Sequence, residues 1–240
     1  MRWTPLIVAA VAGAAQAVTT AGPPRGPQAA APPVRVVLDT ATGIIEMDVD
    51  VGRAPVTGPN FLRYVDAGLY DGGVFHRAVR PDTQVRDDVP IQVIQGRMRR
   101  GPGRGQGPRP FEAIALERTS VTGLAHLDGT VSMARSAPDS ATHEFFICIG
   151  DQPELDFGGR RNADGQGFAA FGRVVRGMDV VRAIQAAPVR PRTETLDPVI
   201  PIVRASRTGR GQPPFQNGPG DAILLTSVRD RGEFEAPRRP

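Results

Sequence analysis

From Val34 onward, apolar and polar residues interchange in short runs, most of them four to eight residues long. Val34 to Leu38 and Ile44 to Val51 read as β-strands, joined across Thr40-Ala41-Thr42-Gly43 into a hairpin. The period then changes. Pro55 opens a segment in which Phe61, Leu62, Tyr64 and Val65 fall on one helical face, and Gly68 supplies a stop. Strand-like runs return at Val74 to Val79, Gln92 to Gly96, Phe111 to Ile114, Thr130 to Ala134, Phe145 to Ile149, Ala169 to Val175 and Pro198 to Ala205. A second helix is expected over Met178 to Ala186, where Val180, Val181 and Ile184 keep helical spacing. Two helices among about eight short strands predict a mainly β domain, one closed barrel with helical caps.

The flanks lack this pattern. Met1-Arg2 followed by the small apolar run Leu6 to Ala15, with Ala15-Gln16-Ala17 after it, has the layout of a signal peptide over residues 1–17. The run is shorter than the ~20 residues that span a bilayer. An uncleaved signal anchor is the alternative. Residues 18–33 are rich in Ala, Pro, Gly and Gln and read as a flexible linker. The domain is expected over 34–206. Residues 207–240 form a Gly-, Pro- and Arg-rich tail expected to be mostly disordered, with Ala222 to Val228 as its one apolar island.

Composition narrows the chemistry. All 29 basic residues are arginine, so the Gly-Lys pair of a P-loop is missing. A net charge of +4 is too small to imply nucleic acid. The glycines of Gly101 to Gly107 alternate and no helix follows them, unlike a dinucleotide fingerprint. The five arginines from Arg97 to Arg109 lack interleaved aromatics and read as a solvated loop. His76, His126 and His143 share no metal-ligand spacing, so no metal site is expected. Ser132 and Ser136 lack a nucleophile-elbow setting. Cys148 sits alone in an apolar run as a buried, inert thiol.

One set of short motifs covers the whole predicted core. It comprises AP-x-T-x-x-NF at Ala54 to Phe61, YDG at Tyr70 to Gly72, FHR at Phe75 to Arg77 and IQG at Ile94 to Gly96. It continues with GTVSMAR at Gly129 to Arg135, DSAT-x-x-FFI at Asp139 to Ile147, Leu155-Asp156, and FG-x-V-x-x-GMDVV at Phe171 to Val181. In this order and spacing the chain resembles the cyclophilin family of peptidyl-prolyl isomerases. The resemblance implies a closed antiparallel eight-stranded β-barrel capped by two α-helices, and an enzyme that speeds rotation about X–Pro bonds without a cofactor.

It also implies a site. Arg77 matches the catalytic arginine, and Gln95 the glutamine that binds substrate backbone and orients it. Phe146, Val93 and Leu155 match the proline pocket, and Ala134 the residue that holds the peptide extended. Phe168, Glu144 and His76 complete the expected substrate-binding set. The chain departs from the family at Gln92 and Glu154, where aromatics are usual. Val93 replaces a methionine, Glu144 a glutamine and Phe168 a histidine. Burying an unpartnered polar group costs on the order of 1–3 kcal/mol. Gln92 is therefore expected to turn away and leave a shallower cup with slower turnover. The expected partners are proline-containing or unfolded polypeptides met by an exported monomer, periplasmic or secreted, with no nucleic acid and no membrane anchor after cleavage. A weakly active or inactive peptide-binding module or chaperone is the competing reading.

Overall fold

A computed structural model describes residues 31–86, 88–99 and 110–208 of the chain. The expected signal peptide, nearly all of the linker, the glycine-rich run and all but the first two residues of the tail lie outside them.

Eight strands close a barrel. They are β1 (Val34–Thr40), β2 (Gly43–Val49), β3 (Gly73–Val79), β4 (Val93–Arg97), β5 (Thr130–Met133), β6 (Phe145–Cys148), β7 (Ala169–Arg176) and β8 (Thr195–Arg207). Their order around the barrel is β1-β2-β7-β5-β6-β4-β3-β8, and β8 returns to pair with β1. All pairings are antiparallel. The β1–β2 hairpin turns on Ala41-Thr42. There the Thr40 hydroxyl accepts from the backbone N–H of Thr42 and Gly43 and donates to the Gly43 carbonyl.

Two helices cap the barrel as expected, α1 (Thr57–Asp66) and α3 (Met178–Ala186). A four-residue turn, α2 (Thr119–Thr122), joins them. The first turn of α1 carries no acidic residue of its own. Instead the Glu117 carboxylate accepts from the N–H groups of Val56 and Thr57, at 3.0 and 2.7 Å. A residue sixty positions away thus supplies the cap that orphan N–H groups at a helix start require. Phe61 of α1 enters the barrel and meets the rings of Tyr70, Phe145 and Phe171 at centroid distances of 5.0 to 5.4 Å.

The expected strand Phe111 to Ile114 does not form. Ile114 makes one isolated bridge to Ala141, while the Phe111 ring lies edge-on to Tyr64 under the Arg63 guanidinium. The barrel already closes on itself, so no free edge remains for a ninth strand to join.

Candidate active site

The site begins with an irregularity in β3. Ala78 faces Ile94 and Arg77 faces Gln95, but the next pair is Phe75 with Gly96, so His76 is an extra residue without a cross-strand partner. In an unbroken strand, residues 75 and 77 would share a face. The bulge at His76 turns the chain between them. Phe75 therefore points into the barrel core, while Arg77 joins Gln95 on the outer surface. Gly96 lets the inward Phe75 and Phe145 rings pass close to the sheet, because a Cβ there would lie 2.8 Å from the Phe145 ring and 3.1 Å from that of Phe75.

Alternation carries the same division across β4 and β6. Ile94, Phe145 and Ile147 belong to the interior cluster. Val93, Phe146 and Cys148 belong to a second, separate cluster outside the barrel wall, with Val79, Ile91 and Leu155. Ala134 and Phe168 pack against its edge. A groove of about 310 Å³ opens over this outer cluster. Its floor is the Phe146 ring, which is edge-on to Phe168 at 5.3 Å and stacked on His126 at 5.9 Å.

Along one side runs a chain of charge-assisted hydrogen bonds. Glu194 accepts from Arg77 Nε at 2.7 Å, and the same carboxylate oxygen forms an ion pair with Nη2 at 2.5 Å. Arg77 Nη1 donates to Gln95 Oε1 at 3.0 Å, and Gln95 Nε2 donates to Glu144 Oε2 at 2.7 Å. A guanidinium has five N–H donors. The hydrogen bonds use Nε and one N–H of Nη1, and leave N–H groups on both terminal nitrogens for a bound molecule. Glu194 is itself fixed, since its other oxygen accepts from the Val85 N–H.

Beneath the floor lies a second network. His126 Nδ1 is 2.6 Å from Asp156 Oδ1, and its Nε2 is 2.9 Å from the Ser132 hydroxyl. The carboxylate can only accept, so Nδ1 donates to it. The order Ser-His-Asp is that of a hydrolase relay, but Ser132 is fully buried and no substrate carbonyl can reach it. What the network does is hold the His126 ring flat against Phe146.

The rim is tied down by arginine. Arg135 donates to both oxygens of Asp164 and to the Gly167 carbonyl, and its guanidinium lies 5.2 Å from the centre of the Phe168 ring. The hydrogen bonds from Arg135 pull the Asp164 carboxyl down from 3.8 to about 2. Across the groove, Arg86 donates to the Arg161 carbonyl and Arg161 Nη1 to the Val89 carbonyl, stitching the β3–β4 loop to the loop after Leu155.

Seven of the expected residues converge on this groove: Arg77, Gln95, Phe146, Val93, Leu155, Ala134 and Phe168. Glu144 stands one bond back, holding Gln95. His76 does not line the groove, because it is the residue spent on the bulge. Gln92 is likewise absent from the lining, and Glu154 is bound to the backbone and side chain of Arg160. Sequence reasoning missed Ile91, whose two-residue spacing to Val93 and Gln95 puts it on the same face and in the groove. It also missed Glu194 and the His126 network, whose members meet only through the barrel's closure.

Residues 35–207 match the family described as cyclophilin type peptidyl-prolyl cis-trans isomerase/CLD. Peptidyl-prolyl cis-trans isomerase A of Dickeya dadantii is 33% identical over 202 residues, which cover 84% of this chain and 86% of the relative. Peptidyl-prolyl cis-trans isomerase B of Escherichia coli is 35% identical over 152 residues, covering 62% and 83%. The fold resembles that of a cyclophilin type isomerase of Cryptosporidium parvum, with a TM-score of 0.57 at 20% identity over 74% of this chain and 98% of the other. A second structure of that protein was determined in the presence of the dipeptide Ala-Pro.

Proposed function

The chain belongs to the cyclophilin-type peptidyl-prolyl cis-trans isomerase family, and from that premise we propose that it isomerises X–Pro bonds through Arg77. The observation that carries the proposal is the Glu194–Arg77–Gln95 chain beside an apolar groove.

The peptide bond resists rotation by ~18–20 kcal/mol because the nitrogen lone pair is delocalised into the carbonyl. At X–Pro the isomers differ little in energy but exchange over tens to hundreds of seconds. Nothing has to be broken or protonated. A catalyst holds the proline ring, leaves the preceding carbonyl free to turn, and stabilises the twisted amide, whose nitrogen is pyramidal and basic. The outer cluster offers the proline ring Phe146, Val93 and Leu155. The unused N–H groups of Arg77 meet the prolyl nitrogen, and this interaction grows as the amide twists, which is differential stabilisation of the transition state. The planar guanidinium fork of Arg77 suits it to that donor role. Glu194 and Glu144 act through it, Glu194 by fixing the guanidinium and Glu144 by fixing Gln95.

The clients are exported polypeptides, a reading supported by the signal-like residues 1–17. A peptide containing Ala-Pro, followed from its cis to its trans form, tests the activity. Catalysis by the purified chain is expected. Capture of unfolded protein with no change in isomerisation rate would instead favour the chaperone reading. Sequencing the N-terminus of the mature protein tests export, with a start at Val18 expected.

A further inference from the structure

Four arginines among the described residues line the groove, and three are neutralised where they stand. Arg77 is paired with Glu194, Arg86 with Asp88 and Arg135 with Asp164. Arg161 makes no ion pair among the described residues. Among those residues only its Nη1 is engaged, by the carbonyls of Val89 at 2.8 Å and Arg86 at 3.4 Å. Burial, with Arg77 and Arg86 close by, pulls its pKa below the ordinary arginine value, although Glu194 and Asp88 act against this. A half-buried cation left uncompensated among cations is costly unless something else brings the counter-charge.

The next residue repeats the message with a neutral group. Asn162 also lines the groove, and its Nδ2 is shielded from solvent yet has no acceptor among the described residues. Buried amide donors are nearly always paired, so an unpaired one in a groove-lining residue leaves a donor to be satisfied when an acceptor arrives. Arg161 and Asn162 sit together on the loop after Leu155, in the lining of the groove that holds the residues assigned to the proline.

We propose that Arg161 and Asn162 form an acidic-residue subsite, so that the preferred substrates carry an Asp or Glu side chain adjacent to the isomerising proline. The proposal rests on the isomerase reading for its substrate and adds a selectivity to it. The carboxylate takes the free Nε and Nη2 edge of Arg161, and the Asn162 amide turns out to meet it. The apolar cluster keeps the proline ring, and Arg77 remains with the prolyl nitrogen.

The test uses the full chain and peptides of the form Ala-Xaa-Pro-Phe and Ala-Ala-Pro-Xaa, with Xaa as Glu, Gln or Arg. Binding is measured by titration calorimetry and turnover by isomerisation, each at low and high salt. A preference for Glu over Gln of about fivefold in Kd is expected in at least one series, shrinking in high salt, as for a partly exposed ion pair. Arg161→Gln should bring the Glu to Gln ratio close to one, and Arg161→Lys should keep most of it. The ratio within each variant is the readout, so a general loss of affinity from loosening the Val89 contact does not imitate the effect. Equal affinity for Glu and Gln peptides in both series, or a ratio that survives in Arg161→Gln, overturns the subsite. Absence of turnover on every peptide overturns the isomerase reading instead, and the Kd ratio still decides the subsite.

Discussion

Phe145 and Phe146 are chain neighbours on β6 with nearly the same burial, 0% and 4% exposed, and they do opposite work. Phe145 points into the barrel, where it meets Phe61, Tyr70 and Phe75. Phe146 points out and forms the floor of the groove between His126 and Phe168. The barrel wall is one layer of backbone with a structural core on one side and a binding cluster on the other. Burial alone therefore does not distinguish stability from function here. The face of the strand does, and at β3 that face is set by a single extra residue.

Putting a charge on the inner face should break the division most severely. Phe75 is fully buried and its ring lies against Phe145. An unpaired charge in a protein interior costs several kcal/mol, so we expect Phe75→Arg to yield little folded protein, measured by circular dichroism and thermal melting. Deleting His76 makes Phe75 and Arg77 neighbours that ordinary alternation keeps on opposite faces, so that variant should still fold. A well-folded Phe75→Arg protein would show that Phe75 does not face the core.

Next come the two phenylalanines. Phe145→Ala should cost ~3–5 kcal/mol of stability, typical of a large core truncation, measured by urea denaturation. Phe146→Ala should cost less, because the groove already brings solvent to one side of its ring. Its main effect should be loss of proline-peptide affinity. Equal effects of both substitutions on both measurements would erase the distinction between the faces.

Glu194→Gln is a smaller change, in a residue that touches Arg77 and not the groove. Misplacing a catalytic group can cost up to ~100-fold, and loss of one of its two anchors is expected to lower kcat by about tenfold. KM should change little. If KM rises and kcat holds, Glu194 serves binding and not the placement of Arg77.

The smallest effect concerns the rim. The Asp164 carboxyl is held down to about 2 by Arg135. A lowered carboxyl stabilises the rim above its unfolded value of 3.8, and this support fades as pH falls from there towards 2. The pair therefore holds unchanged through neutral pH and contributes no dependence there. Carbon NMR of the Asp164 side chain should titrate near 2 in the native protein and move back towards 3.8 in Arg135→Gln. A titration already at 3.8 in the native protein would remove the clamp from the account.

Much of this was legible in the residues. The hairpin, both capping helices and all eight strands follow from hydrophobic period and turn residues, and Arg77, Gln95, Phe146 and Val93 lie together as the family motifs imply. The misses share a cause. The bulge at His76 is a property of register between two strands, and VFHRAV read alone shows only an apolar run. Glu194 reaches Arg77 across 117 residues of sequence, and Ser132, His126 and Asp156 meet only once the barrel closes. Ile91 was readable, since it keeps period two with Val93 and Gln95 across the proline-marked start of the run. Phe111 to Ile114 has the composition of a strand, and closure of the barrel leaves it none to pair with.

The central claim is that the outer face carries catalysis through one guanidinium. The most direct measurement is kcat/KM for an Ala-Pro peptide with Arg77→Ala, alongside its melting temperature. Loss of a preorganised donor to the developing charge costs ~100- to 1,000-fold in comparable sites. The account predicts a fall of at least about 100-fold in kcat/KM, with the barrel still folded. An unchanged rate in a folded Arg77→Ala protein would contradict it.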